Sequence, residues 1–374
     1  STIEIEPINQ RYSPLITRLR SMDRRLFTIL LIVFVQMVGA SMVNPILPLY
    51  VQSEFNLEPQ VITLLLTSFF AAQFLAGPFI GRWSDQWGRM PVLIISQIGT
   101  VLSFVLIGVA QTAELLFFAR VLDGITGGNI IVAQAYVTDI MPEEKRTQAL
   151  GYIFASFGLG FIVGPGAGGA LAAAFGPQVP FLMAAVAAFI TVLLTYYTLD
   201  ETVTPEMRAR SRDKKRASLN PIEMATNVPL VAVMIVTFVA QFGFGLLIAT
   251  LALYCEEVIF AGYDPSSVSI GVGLLMAVVG FGQFMTQMVL LPRALKRYSD
   301  PAIVIIGAVL RGTSMLVLAI ATEPFLGSAT AGLFAIGSGL MMPPLQSLAT
   351  KTVAAELRGA ILGVYQSVIN LSVI

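Results

Sequence analysis

Arg120 to Gly169, RVLDGITGGNIIVAQAYVTDIMPEEKRTQALGYIFASFGLGFIVGPGAGG, is two apolar spans joined by a charged turn. It has one close pair of opposite charges, Arg120 and Asp123, inside an otherwise uncharged span. A charge in hydrocarbon costs roughly 2.5 to 3.5 kcal/mol on insertion scales, so such residues turn towards a bundle interior or a water-filled path. A transport pathway is the first reading. Arg120 and Asp123 are three residues apart and share a helical face with Gly124, Gly127, Ile131 and Gln134, while Asn129 points elsewhere. Two readings of the pair stand. It is a structural ion bridge that neutralises itself, or Asp123 is poised to exchange a proton or a cationic ligand. The second follows if a guanidinium that favours its charged form competes with a low-dielectric surround that opposes it.

Of 374 residues, 56% are hydrophobic and 12% charged, against about 25% charged in an ordinary globular domain. The apolar runs are continuous over ~20 residues, the length of a membrane-crossing helix, and not the ~10-residue alternation of a barrel strand. The chain therefore reads as an all-α polytopic membrane protein. Eleven segments are expected at 26–52, 60–80, 91–111, 114–140, 147–173, 178–199, 228–254, 267–291, 301–321, 325–350 and 358–374. Histidine is absent and Cys255 is the single cysteine, so no cofactor, metal cluster or His-based relay is expected and a proton carrier has to be a carboxylate. No nucleophile-base constellation or phosphate loop points to an enzyme. Residues 1–25 read as a polar, basic lead-in and not a signal peptide.

Of 22 Lys and Arg residues, 20 fall in the N-terminal segment and in every second connection, the other two being Arg120 and Arg311 within spans. By the positive-inside rule the N-terminus and the long central connection are cytoplasmic, in an inner or plasma membrane. That connection, 200–227 with RARSRDKKR at its centre, reads as a solvated linker with some attraction to anionic lipid heads. It does not read as a nucleic-acid site. It separates an N-terminal bundle, 26–199, from a C-terminal one, 228–374.

The two bundles repeat one another. Gln73, Phe74 and Pro91 match Gln283, Phe284 and Pro301 at an offset of 210, and Arg146, Leu150 and Gly151 match Arg358, Leu362 and Gly363 at 212. Two registers agreeing within two residues point to a duplicated six-helix unit of the transporter kind. The copies have diverged, Asp85 corresponding to Leu295 and Arg89 to Ser299. On that repeat the Gly164-Pro165 pair would recur near position 376, so the end of helix 11 and helix 12 are expected to be absent from this chain.

Within the first span Gln36, Gly39 or Ala40, and Asn44 share a face, where polar groups serve either a pocket or helix packing, and Pro45 and Pro48 bend or end the helix. GRWSDQWGRM packs Gly81, Asp85, Gly88 and Arg89 into a short turn whose spacing sets it apart from an ordinary loop. The fifth span carries Gly160, Gly164 and Gly168 at intervals of four, with Pro165 and Gly169 beside them, a stripe that lets another helix approach closely. Further polar positions in spans are Gln241, Arg311, Gln346, Gln366 and Asn370. Arg311 sits roughly 15 Å along its helix, near mid-depth, where it snorkels, meets a partner helix or holds substrate. Phe238, Phe242, Phe244, Met341, Met342 and Tyr365 either pack or line an adaptable apolar cavity.

Taken together, GRWSDQWGR, RVLDGITGG, GFIVGPGAGG, LPLY after NPI, and LDET before the linker resemble the motifs of the major facilitator superfamily. Within it they resemble the drug/proton antiporters similar to tetracycline efflux proteins. The resemblance implies a fold of two pseudo-symmetric six-helix bundles and proton-coupled export of a small amphipathic or cationic compound by alternating access. It implies that Asp85, Arg89 and Asp139 form a cytoplasmic charge relay, that Arg120 serves proton coupling, and that Gly164, Pro165, Gly168 and Gly169 serve the interface between halves. Where relatives commonly carry an acid in the first span this chain has Gln36, which leaves Asp123 as the deep carboxylate. The rival readings are an importer or facilitator of a metabolite, with Arg311 or Arg120 on an anionic group, and a non-transporting partner within a membrane complex. Lipid, protons and a small molecule are the partners expected.

Overall fold

The structure is a computed structural model, and it describes residues 24–55, 57–213 and 221–374. Most of the N-terminal segment, the centre of the basic linker run and the side chain of Asn44 lie outside the described residues. Every regular element described is helical. In chain order they are α1 (Arg24–Phe55), α2 (Pro59–Trp87), α3 (Arg89–Gly108), α4 (Ala113–Thr126), α5 (Asn129–Ile140), α6 (Glu143–Phe175), α7 (Val179–Thr198), α8 (Pro205–Asp213) and α9 (Pro221–Thr226). There follow α10 (Val228–Tyr254), α11 (Pro265–Met285), α12 (Leu291–Ala294), α13 (Asp300–Leu318), α14 (Pro324–Lys351) and α15 (Arg358–Val373). Among the described residues ten helices are long and apolar enough to cross a membrane, α4 and α5 together making one. The eleventh expected segment is helical as α15 over 16 residues. Large apolar side chains such as Leu64, Leu75, Phe79, Leu316 and Ile320 face outward, as lipid, unlike water, allows.

Contacts run chiefly within α1–α7 and within α10–α15. In the first set α1 lies against α6 and α7, and α3 against α7; in the second α14 lies against α13 and α11. The sets meet where α2 crosses α15, α6 crosses α11 and α14, and α5 touches α15. The α2–α15 crossing is built on glycines: a Cβ on Gly81 would stand 2.0 Å from the Gly359 carbonyl oxygen, and one on Gly363 2.3 Å from that of Gly77. Pro78 lies inside the continuous α2 and has no N–H to offer the Phe74 carbonyl one turn back. The Ser367 hydroxyl of α15 donates to that carbonyl at 2.7 Å.

Two expectations need correction. The fourth span is not one helix but breaks at Gly127–Gly128, where backbone bonds tighten to Gly127 N–Gly124 O and Gly128 N–Thr126 O. Gln73 Nε2 donates to the Gly127 carbonyl at 2.7 Å, filling the gap. Second, Gly160, Gly164 and Gly168 do not form the interface between halves. Their stripe faces α1, where Ser41 Oγ would stand 1.8 Å from a Cβ on Gly164, and Gly169 faces open space. Pro165 is exposed within a continuous helix. The approach of α6 to the second set comes at Gly151 and Gly158, whose added Cβ atoms would meet Leu291 and the Gly280 carbonyl. Two residues along a helix are ~200° round it, so Gly158 and Gly160 serve opposite neighbours.

Gly164→Ala is expected to cost about 1–3 kcal/mol through forced separation of α1 and α6. Gly169→Ala is expected to gain up to about 1 kcal/mol in helix propensity. Thermal unfolding of the purified protein in detergent, followed by intrinsic fluorescence, distinguishes the two.

Candidate functional site

At the end of the bundle that carries the linker, a buried charge network joins the two sets of helices. Arg89, 1% exposed, places Nη1 2.6 Å from Asp85 Oδ1 and Nε 2.8 Å from Asp139 Oδ2. Asp85 then reaches across: Oδ1 accepts the backbone N–H of Gly359 at 3.0 Å and Oδ2 that of Ala360 at 2.7 Å. The first N–H groups of a helix have no partner within it and carry its positive dipole end. A carboxylate on α2 thus caps α15. Arg358 closes the circuit, with Nη1 3.6 Å from Asp139 Oδ1 and donating to the Thr138 carbonyl at 3.4 Å. Two acids and two arginines cancel one another's charge, which makes burial tolerable. Gly81 and Gly88 allow the approach. Gly88 has φ +112°, and a Cβ there would stand 2.1 Å from Glu201 Oε2.

Sequence reasoning found Asp85, Arg89 and Asp139 but missed three further charged residues at this end. Glu201 accepts the Arg89 and Met90 N–H groups at 2.9 and 3.3 Å, folding the start of the linker over the N-terminus of α3. Its signal was the LDET stretch. Arg358 was visible as the repeat of Arg146. Asp300, at the start of α13, accepts from Thr147 Oγ1 at 3.0 Å and Lys351 Nζ at 2.9 Å; nothing in its local sequence announced that.

Deeper, Arg120 and Asp123 are 3% and 6% exposed, with Nη1 to Oδ2 at 3.4 Å. The guanidinium lies 4.5 Å above the Phe69 ring, and its Nε has no hydrogen-bond partner. The Thr100 hydroxyl lies beside Asp123 and accepts from Asn129 Nδ2 at 3.4 Å. Asn129 was expected to point away. The break at Gly127–Gly128 resets the helical phase and turns it towards Thr100, on the side of the pair. The pair sits where α4 packs on α2 and α3. An aqueous route beside it was expected, but in this conformation the pair is closed in.

A small apolar cleft lies instead among α10, α11, α13 and α14, lined by Phe244, Leu251, Leu275, Met315, Leu318 and Phe334 among others. Of the residues expected to line a cavity only Phe244 does so. Met341, Met342 and Tyr365 are buried in packing, and Phe238 and Phe242 stack on each other with exposed faces. Arg311 is 4% exposed beside this cleft, 4.9 Å from the Phe334 ring and 5.8 Å from that of Phe244, and donates to the Ala240 carbonyl. Gln134 and Gln346 are bonded to each other across the two sets, Nε2 of Gln346 to Oε1 of Gln134 at 2.6 Å. Gln36 is buried on α1 and Gln241 half-buried on α10; neither joins the groups above. Among the described residues no cluster of Cys, Asp and Glu is arranged to hold a metal ion.

Residues 29–374 match the family described as Major Facilitator Superfamily. The chain belongs to the major facilitator superfamily. Its members are membrane transporters and not enzymes, and this one is a multi-pass membrane protein. It is 30% identical to tetracycline resistance protein, class E, of Escherichia coli, over 94% of this chain and 86% of that one. It is 29% identical to multidrug resistance protein 2 of Bacillus subtilis (strain 168), over 69% of this chain and 65% of that one. In fold it is similar to the human organic anion transporter MFSD10, with a TM-score of 0.79 at 19% identity, over 96% of this chain and 92% of that one.

If Asp85 holds the linker end shut, Asp85→Asn weakens both the cap on α15 and the pairing of Arg89. A cysteine placed at Ala135, which is fully buried beside Leu362 of α15, reports it in a Cys255→Ala background. Maleimide labelling of that cysteine is expected to rise about tenfold or more. Unchanged labelling would show that the cap does not govern closure.

Proposed function

We propose that this superfamily transporter is a secondary active exporter of a small amphipathic compound in exchange for protons. It works by alternating access between the bundles 26–199 and 228–374, with the N-terminus and linker on the cytoplasmic face of the cell membrane. The observation that carries the reading is the buried Arg120–Asp123 pair, a carboxylate held at depth with a loose 3.4 Å contact and a hydroxyl beside it. Kinship with resistance proteins over most of the chain supports export, and the basic residues gathered on one side support the orientation. In this scheme Asp123 takes a proton from outside and releases it inside, and Arg120 biases the exchange. The linker-end network around Asp85 keeps the cytoplasmic side closed while the proton is taken up. No acid is among the residues lining the cleft, so its chemistry favours an amphipathic cargo over a cationic one.

A second reading, passage of a metabolite with an anionic group, rests on Arg311. Its guanidinium is buried against two aromatic rings, and no carboxylate among the described residues pairs with it. Inverted vesicles under an imposed proton gradient separate the two readings. The exporter is expected to accumulate amphipathic neutral compounds, and cationic ones more weakly, only when the gradient is present. Asp123→Asn is expected to abolish that accumulation while leaving ligand binding partly intact. Export that survives the substitution unchanged removes Asp123 from the coupling role.

A further inference from the structure

Gln134 and Gln346 are 212 residues apart, the same offset that relates Arg146 to Arg358 and Gly151 to Gly363. The neighbouring positions repeat as well. Thr138 and Thr350 each donate to the carbonyl three residues back, at 2.8 and 2.7 Å. Two equivalent positions of a duplicated fold touch one another only where its pseudo-two-fold axis passes between them, so the 2.6 Å amide contact lies on the axis. The two side chains are 2% and 1% exposed. Ile131, Ala135 and Leu362 form an apolar plug beside them, made from both bundles. Gln346 Oε1 has no partner at all. As permanent glue this is a poor arrangement, since a half-satisfied buried amide is worse than an apolar contact of the same shape.

We infer that Gln134 and Gln346 form a latch on the axis, bonded to each other while the linker end is closed and parted by the rocking that breaks Asp139–Arg358. The inference rests on the alternating access proposed above. It follows from what each amide can do in the two states. Closed, each supplies the other with one bond in a surround that offers little else. Open, both meet water or passing cargo and every donor and acceptor is satisfied. The pair therefore holds the closed state by a single neutral bond, weak enough to let go, while its unsatisfied oxygen favours release.

This arrangement predicts opposite signs for single and double replacement. Gln346→Leu strands the Gln134 amide in an apolar plug and should open the linker end, raising maleimide labelling of the Ala135→Cys reporter about fivefold or more. Gln134→Leu with Gln346→Leu removes both polar groups and should bring labelling to or below that of the parent. Equal labelling of parent and single variant, or a double variant as open as the single one, would overturn the latch. Should the variants fold poorly, Gln134→Cys with Gln346→Cys in the Cys255→Ala background should form a disulfide with copper-phenanthroline and block transport until reduced. No disulfide in folded protein overturns the latch as well. Labelling needs no proton gradient, so a failed coupling role for Asp123 leaves this result standing. A reporter that stays unlabelled in every variant, Asp85→Asn included, would remove the rocking and the latch with it.

Discussion

Asp85 accepting the N–H groups of Gly359 and Ala360 is the contact on which the arrangement of the two bundles depends. It needs α2 and α15 to touch backbone to backbone, and Gly77, Gly81, Gly359 and Gly363 are what make that approach available. It also needs the acid to stay charged in a buried place, which Arg89 secures from the same turn. A charge-assisted hydrogen bond contributes about 1.5–3 kcal/mol, so two of them on one helix end are enough to bias a two-state equilibrium heavily without making it irreversible. Packing alone would give contact between bundles. The cap gives contact at one end.

Closure at the linker end explains where the open space lies. The bonds joining the bundles run from Asp300–Thr147 up to Ser367–Phe74, and Phe74 is 13 residues, about 20 Å, above the end of α2. The cleft is lined by Leu251, Leu318 and Gly327, at the ends of α10 and α13 and the start of α14 that lie away from the linker. Arg120 and Asp123 are packed between α4, α2 and α3 in the same conformation. An acid that exchanges protons has to be reached by water in at least one state, and rearrangement of α4 against its neighbours is the step that would admit it. The break at Gly127–Gly128 is a place where α4 can shift without carrying α5, and therefore the latch, along with it.

Spans, the all-helical class, the duplicated halves and the charged turn after α2 were legible in the sequence because each is local: run length, charge spacing or a fixed offset. What escaped was tertiary. The stripe at Gly160, Gly164 and Gly168 announced a close neighbour but not which one, and α1 was as available as the opposite bundle. Extending one helical phase through Gly127–Gly128 put Asn129 on the wrong side, because periodicity cannot register a break that a side chain from α2 repairs. Gln134 and Gln346 were both singled out, the first on the face of Arg120 and Asp123 and the second as one of several polar positions in spans. Their offset already contained the pairing, since equivalent positions on the innermost helices are the ones an axis can bring together.

The duplicated unit also shows how one contact is kept while its chemistry changes. Gly359, capped by Asp85, is equivalent to Thr147, which donates to Asp300. The acid expected by the repeat at 295 is a leucine, and an acid five residues later does the equivalent work from the start of α13. Asp139, an acid facing two arginines, is equivalent to Lys351, a base facing that same Asp300. Signs are exchanged between the copies, so the acids of the first bundle meet a base of the second, Asp139 with Arg358. The two sides differ in strength for a physical reason. Asp85 is buried and accepts two backbone N–H groups across the sets, whereas Asp300 accepts one hydroxyl, that of Thr147, and otherwise pairs within its own bundle with the partly exposed Lys351. On the alternating access proposed above, the α2–α15 contact is the stronger of the two to be broken when the linker end opens.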